Sequence, residues 1–410
     1  MENMMDYLRW RGDLTLAQDP FNDVDNQLLA NFAYMDLEEL FADLPEGEFT
    51  LSTLCDLYFD KMQGKTLHLG VLIPPVIFDL AKAMAESDRF KNARITAVKD
   101  VTRNDPDAPD GQVQWSAMTY LLDDGTMYIA FRGTDDSLIS WKEDFNMAVF
   151  NTVPSQREAA EYVREVLLAH PEYSARVGGH SKGGNLAIYG AAKCGADVQE
   201  RILAVYANDA PGFPRSFLAD ADYGRIRQRV RLILPESSFV GLLLYHDARR
   251  TVVKSCEKGF RQHDCFTWQV VKNRFEQAPA ISGEALLLRK AVLAWMNDMT
   301  VEERQAFIET VYRVLTLDAG TVTELVENRA TLLRSYRNLA PEQRQIIRGM
   351  LKRLFRSGKQ VYTGVLQAPA PAAKEVSPPK KSVGKPTFVT HFSGASLRSG
   401  KPAGAKKRKD

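Results

Sequence analysis

Val177-Gly178-Gly179-His180-Ser181-Lys182-Gly183-Gly184-Asn185-Leu186-Ala187-Ile188-Tyr189 is the stretch on which the reading of this chain turns. Gly179-x-Ser181-x-Gly183 is a GxSxG. A strand-like run (Arg176–Gly179) precedes it and a helical pattern (Gly184–Lys193) follows it. That context makes it a nucleophile elbow rather than a plain glycine-rich turn. A sharp strand-to-helix turn lifts the serine hydroxyl above the sheet edge. Small residues two before and two after let the backbone turn without clashes. The new helix N-terminus favours negative charge, and the amide of Lys182 can donate to an oxyanion.

Working outward, residues 92–270 alternate strand-like and helix-like segments. Strands are expected at Gln112–Leu122, Thr126–Phe131, Arg176–Gly179, Ile202–Ala207, Arg229–Leu234 and Thr251–Lys254, all short, β-branched or aromatic, and bounded by Gly, Asp or Pro. Helical patterns fall between them, notably Gln156–Leu168. Alternation of this kind implies an α/β fold with a mostly parallel sheet. The first ninety residues read as helices (Asn26–Tyr34, Leu51–Lys61, Val76–Ala85) that pack on that sheet.

After Ala280 four amphipathic helices are expected: Glu284–Met296, Val301–Leu315, Val322–Tyr336 and Pro341–Phe355. Thr300–Glu303 and Thr321–Glu324 fit capping boxes, and Pro341 fits a helix start. The last helix is basic, with Arg344, Arg348, Lys352, Arg353 and Arg356. The expected division is therefore 1–280 (helical over 1–90), a small helical domain over 281–360, and a disordered basic tail over 367–410.

A serine nucleophile needs a base and an orienting acid, in the chain order serine, acid, histidine for this kind of fold. Three histidines follow Ser181: His246, His263 and His391. His391 lies in the tail, and His246 ends the apolar run Val240–Tyr245, where it reads as a capping residue. His263 lies in a loop after the last strand, where the base belongs. Asp209, directly after the strand Ile202–Asn208, is the leading acid, with Glu236 at the end of the next strand as the alternative. Asp209 also reads as an ordinary turn residue before Ala-Pro-Gly. Upstream, Phe131-Arg132-Gly133-Thr134 ends a strand, so Thr134 can supply a second oxyanion donor beside Lys182; its plainer role is an N-cap. The Lys182 side chain can attract an anionic substrate such as a phospholipid or an acyl thioester, but its plainer reading is exposed and pointing away from the site. Asp144 or Asn146 can brace the Thr134 loop from behind or simply form a solvated helix face, the plainer of the two readings.

Composition frames these motifs. The 410 residues carry 53 basic and 52 acidic side chains, 45% of residues are hydrophobic and 26% charged. That excludes a wholly disordered chain. The net charge of +1 hides an asymmetry. Pro371–Asp410 holds ten Lys/Arg and two acids, a net +8 that leaves −7 on the remainder. Nucleic-acid binding is therefore not expected of the body but stays open for the tail, as does an anionic membrane surface. Cys55, Cys194, Cys256 and Cys265 form no metal-ligand spacing and read as reduced thiols. No signal peptide is expected, since the N-terminus has no basic stretch followed by an apolar one. The longest apolar run, Phe239–Tyr245, is too short to span a bilayer. A cytoplasmic protein, at most peripheral at the membrane, is expected, with no metal or cofactor.

Phe131-Arg132-Gly133-Thr134 followed by Gly179–Gly184 resembles class 3 (fungal-type) lipases, which are α/β hydrolases. The likeness is greater to their bacterial relatives, the Mbeg-like domain of unknown function. It is carried by Asp6–Asp13, Pro20–Asp25, Trp141–Asn146 and Gln262-His263-Asp264, and covers about residues 5–290. The resemblance implies an α/β-hydrolase fold, an ester or lipid substrate, Ser181 as nucleophile, His263 as base, and Thr134 with the Lys182 amide as oxyanion hole. Class 3 lipases usually have an apolar residue at Lys182. They carry their acid in a segment matching Ser237–Gly241, where this chain has none. Asp209-Ala210-Pro211-Gly212 instead resembles the acid segment of pancreatic-type lipases.

Overall fold

The computed structural model describes residues 2–44, 47–105, 108, 111–316, 319–327, 336–337 and 339–367. Eight strands form one sheet in chain order: β1 Phe49–Thr50, β2 Arg94–Asn104, β3 Gln112–Leu121, β4 Thr126–Arg132, β5 Ser174–His180, β6 Ile202–Asn208, β7 Val230–Pro235 and β8 Arg249–Val253. β1 to β4 pair antiparallel. β4 to β8 pair parallel. All six expected strands are present, within a few residues at their ends. β2 was not expected. It carries Arg94, Lys99, Asp100 and Arg103, and only Ile95 is buried along it, so the apolar alternation that announces a strand is faint.

The period-2 alternation of strand side chains divides the core into two layers. Met127, Ile129 and Phe131 of β4 join Val205 and Ala207 of β6 under the helices Pro154–Ala169 and Lys182–Lys193. Tyr128 and Ala130 join Ala204 and Tyr206 on the opposite face, beneath the N-terminal helices. These include Met4–Arg11, Asp23–Phe32, Leu51–Lys61 and Val76–Glu86.

The N-terminal layer contains a fully buried ion pair. Arg89 Nε and Nη2 donate to the two oxygens of Asp25 at 2.6 and 2.5 Å, and both side chains are inaccessible. Tyr7 Oη donates to Asp25 (2.9 Å) and accepts from Asn22 (2.8 Å). Arg89 Nη1 also donates to the carbonyls of Leu14 and Asp19. The segments Asp6–Asp13 and Pro20–Asp25 thus converge on one arginine.

The C-terminal helices are Gly283–Asn297, Val301–Thr316, Val322–Glu327 and Pro341–Gln367. Both capping boxes form: Glu303 and Thr300 exchange hydrogen bonds, as do Glu324 and Thr321. The third helix is described only to Glu327, and the remainder of its expected span is largely outside the described residues. The fourth runs on to Gln367, beyond the expected Phe355. The tail, from residue 368, lies outside the described residues. Residues of this helical part bond to the segment after β4: Leu138 N to Gly320 O (3.0 Å), Val322 N to Asp136 O (2.9 Å) and Lys142 Nζ to Glu309 (2.8 Å). Among the described residues no helix is long and apolar enough to cross a membrane.

Register brings the site together. Phe131 of β4 pairs with Gly179 of β5, which pairs with Ala207 of β6. Asn208 in turn pairs with Ile233 of β7. Thr134, Ser181 and Asp209 therefore leave the sheet along one edge, outside the carboxyl ends of parallel strands, where open α/β sheets bind ligands.

Candidate active site

Ser181 sits between β5 and the helix Lys182–Lys193 with φ 58° and ψ −131°. A non-glycine residue held there costs about 1–3 kcal/mol and persists only when its surroundings enforce it. The enforcement is visible. Ser181 N donates to Asn208 O (2.9 Å), and Asn208 Nδ2 donates to Gly179 O (3.0 Å). A Cβ on Gly179 would meet the Gly183 carbonyl carbon at 2.4 Å, and one on Gly183 would meet Phe131 O at 2.1 Å. Both positions therefore require glycine.

His263 ends the turn Gly259–His263. Its Nε2 lies 3.1 Å from Ser181 Oγ and its Nδ1 2.7 Å from Asp209 Oδ2. Asp209 is fully buried, at φ 45°. Its other oxygen, Oδ1, accepts from Ser238 Oγ and from Gly241 N (3.1 Å). The segment Ser237–Gly241, where an acid was missed in the sequence, thus supplies two donors to the acid of the neighbouring strand. Glu236 engages through its backbone, to Val253 O and from Ser282 N. The carboxylate on His263 is that of Asp209. His246 is half-buried, with its Nε2 shut off from water and lacking a hydrogen-bond partner, and that desolvation pulls its pKa down to about 4.

Thr134 follows Gly133, where a Cβ would come within 3.2 Å of Ser181 Cβ. The oxyanion-side loop therefore runs against the serine. Thr134 Oγ1 donates to Asp144 Oδ2 (2.5 Å). Lys182 is the first residue of its helix, so its amide has no partner within the helix.

The Mbeg1-like family profile matches residues 84–313. The chain belongs to the Mbeg1-like family. The match takes in Thr134, Ser181, Asp209 and His263. It also reaches through most of the helix Val301–Thr316, further than the sequence resemblance suggested, and starts after the two N-terminal motifs. No curated protein matches the chain. Similar solved structures include lipase II from Rhizopus niveus, 17% identical over 47% of this chain and 75% of that one, with TM-score 0.32. Lip2 lipase from Yarrowia lipolytica is 11% identical over 66% of this chain and 90% of that one, TM-score 0.31. A triacylglycerol lipase from Penicillium expansum is 14% identical over 39% and 70%, TM-score 0.26.

In this Mbeg1-like chain, two features escape sequence reasoning. The first is His180. Its Nε2 lies 2.9 Å from the backbone oxygen of His263, so it must carry the proton and donate. Its Nδ1 then accepts from Tyr34 Oη (3.2 Å). The His180 and His263 rings pack with centroids 4.5 Å apart and their planes tilted by 37°. One donor, itself braced by Tyr34, and a tilted ring face thus hold the His263 turn. Burial first, and then the charge His263 can carry, pull the His180 pKa down to about 3. Below pH 6.5 the unfolded chain takes up a proton here and the folded chain does not. The folded state therefore loses about 1.4 kcal/mol per pH unit from this residue as pH falls. His180→Gln should be the less stable protein at pH 8, and its deficit should shrink between pH 6.5 and 5. Urea unfolding at several pH values reads the gap; a deficit constant with pH would contradict this account.

The second is Lys182, whose side chain is not exposed but 1% accessible. Its Nζ donates to Gln114 O and Glu143 Oε2, both at 2.7 Å, and lies 3.6 Å from Asp144 Oδ1. Glu143 and Asn146 are buried too, and Asp144 is half-buried, so this face of the helix Leu138–Asn146 turns inward rather than to water. No local signal in the sequence marks this, because the partners come from β3 and from a helix about forty residues upstream.

Proposed function

We propose that the protein is a serine hydrolase that cleaves carboxylic esters of lipid-like or acyl substrates through an acyl-enzyme on Ser181. The observation carrying this reading is the unbroken chain Ser181 Oγ–His263–Asp209, at 3.1 and 2.7 Å, on a serine in a strained turn. With Asp209 accepting from Nδ1–H, His263 Nε2 is the free base, facing the serine hydroxyl. Ser181 attacks the ester carbonyl as His263 takes its proton, and His263 returns that proton to the departing alcohol. Water then attacks the acyl-enzyme by the same route. The Lys182 amide and Thr134 stabilise the oxyanion. Asp209 fixes the tautomer of His263 and stabilises its cation.

An apolar acyl group is favoured by the rim. Phe260, 62% exposed, lies 6.0 Å from the His263 ring and 6.0 Å from Phe239.

The test is a fluorophosphonate probe together with p-nitrophenyl esters of increasing chain length. The unaltered protein should be labelled and should turn over medium or long chains. Ser181→Ala should lose the label and about 10⁴-fold or more of kcat. An unlabelled natural chain, or labelling that survives Ser181→Ala, would sink the proposal.

A further inference from the structure

A lysine is an expensive way to fill a buried site beside the nucleophile. Removing its charge from water costs several kcal/mol, whereas Met or Leu would fill the same volume without that penalty. Here the cost is offset by defined partners. Nζ donates to Gln114 O and to Glu143. Glu143, wholly buried, also accepts from the amides of Gln114 and Ser155, both at 3.0 Å. The remaining direction of the ammonium faces Asp144 Oδ1, which is buried and makes no hydrogen bond. The second oxygen of Asp144 holds the hydroxyl of Thr134. One side chain therefore links the residue after Ser181 to the loop on the other side of it.

We infer that the Lys182 ammonium is a positioning group for the oxyanion site: through Asp144 it sets the orientation of Thr134. This rests on the hydrolase reading above. The charged and titratable groups around Asp144 come from every element packed against it. Lys182 on the elbow helix attracts it. Glu143 on its own helix and Asp135 after β4 repel its charge. Tyr34, from the N-terminal layer, is a neutral neighbour whose own ionisation Asp144 opposes. Arg132 is engaged with Asp100 and Asp135. With Lys182 present, Asp144 is a carboxylate that accepts from Thr134 Oγ–H, leaving the Thr134 amide to face the oxyanion. Burial has already pushed the Asp144 pKa up to about 6, and Lys182 is the largest influence pulling it down. Without that cation Asp144 keeps its proton to higher pH. It then turns from acceptor to donor, and Thr134 loses its anchor.

The deciding variant is Lys182→Met/Glu143→Gln, which removes both charges of the buried pair and leaves the Lys182-position amide in place. Expected is a fall in kcat of about 10²-fold with KM changed by no more than about threefold. The low-pH limb of kcat should move upward, because the lost attraction of Lys182 outweighs the lost repulsion of Glu143. Adding Asp144→Asn, which has nothing to titrate, should return that limb to its original place. An effect of the lost charge on His263 would survive in the triple variant, so a limb that stays displaced overturns the inference. So does a double variant with the natural kcat and limb.

A natural chain lacking Ser181-dependent hydrolysis overturns the hydrolase reading and this one with it. An active natural chain with an indifferent double variant overturns this one alone. If the double variant does not fold, carboxyl ¹³C NMR of the unaltered chain decides, with Asp144→Asn assigning the resonance. Asp144 must be ionised at pH 7, and finding it protonated overturns the inference.

Discussion

Asp209→Asn should lower kcat for ester hydrolysis by about 10⁴-fold while leaving KM within a few fold. The size of the effect follows from what surrounds the carboxylate. Oδ1 accepts from Ser238 Oγ and Gly241 N, and the amide donor is fixed in the backbone. In an asparagine the single oxygen must stay on that side, because an NH₂ there would face N–H. The NH₂ then faces His263 Nδ1 and forces it to accept. The ring proton moves to Nε2, which faces Ser181 and can no longer take its proton. The geometry survives and the tautomer is wrong. Glu236→Gln is the control. Its carboxylate touches neither ring nitrogen, so kcat should stay within about twofold. Steady-state kinetics on the two variants separate the cases, and equal losses would refute the assignment of Asp209.

Arg89→Met should destabilise the fold by about 3–5 kcal/mol, the usual cost of breaking a buried ion pair from one side. Asp25 would be left with its charge in a site that no water reaches. The carbonyls of Leu14 and Asp19 would lose their donor as well. Arg89→Met/Asp25→Leu should recover much of the loss, because the second change removes the stranded charge. Urea unfolding measures both; a double variant no better than the single one would place the cost in the lost carbonyl contacts instead. The consequence reaches the site, since the same layer carries Asn26, which bonds Asn208 (2.9 Å), and Tyr34, which bonds His180.

What could be read from the sequence was what is local. Gly179, Ser181 and Gly183 announce themselves because one tight turn needs all three. Asp209 and Thr134 could be placed because each lies within two residues of a strand end, and parallel strands end on a common edge. His180 could not be separated from the motif that contains it, because its role depends on Tyr34, 146 positions away. Lys182 was assigned to solvent on the ordinary habit of lysine; only the fold brings Gln114 and Glu143 to it. β2 was missed for the opposite reason, since its polar sequence gives little periodicity to detect. Ser238 looked like a missing acid, and only its hydrogen bond to Asp209 shows what it does instead.

That last exchange has an evolutionary reading. β6 and β7 are parallel neighbours in register, so the segments after Asn208 and Pro235 open side by side beneath the same imidazole. A carboxylate at Ser238, whose hydroxyl already meets Asp209 Oδ1, would be near enough to serve the same ring nitrogen, whereas Glu236 at the strand end itself touches neither nitrogen of the ring. The histidine need not move when the acid changes its place in the chain. A lineage passing between the two arrangements could travel through an ancestor carrying both acids. Such a pair would share one proton, because two adjacent carboxylates cannot both ionise cheaply. Losing either acid from that ancestor would leave a complete site. The order of residues along the chain is thus a less durable property of this site than the edge from which they project.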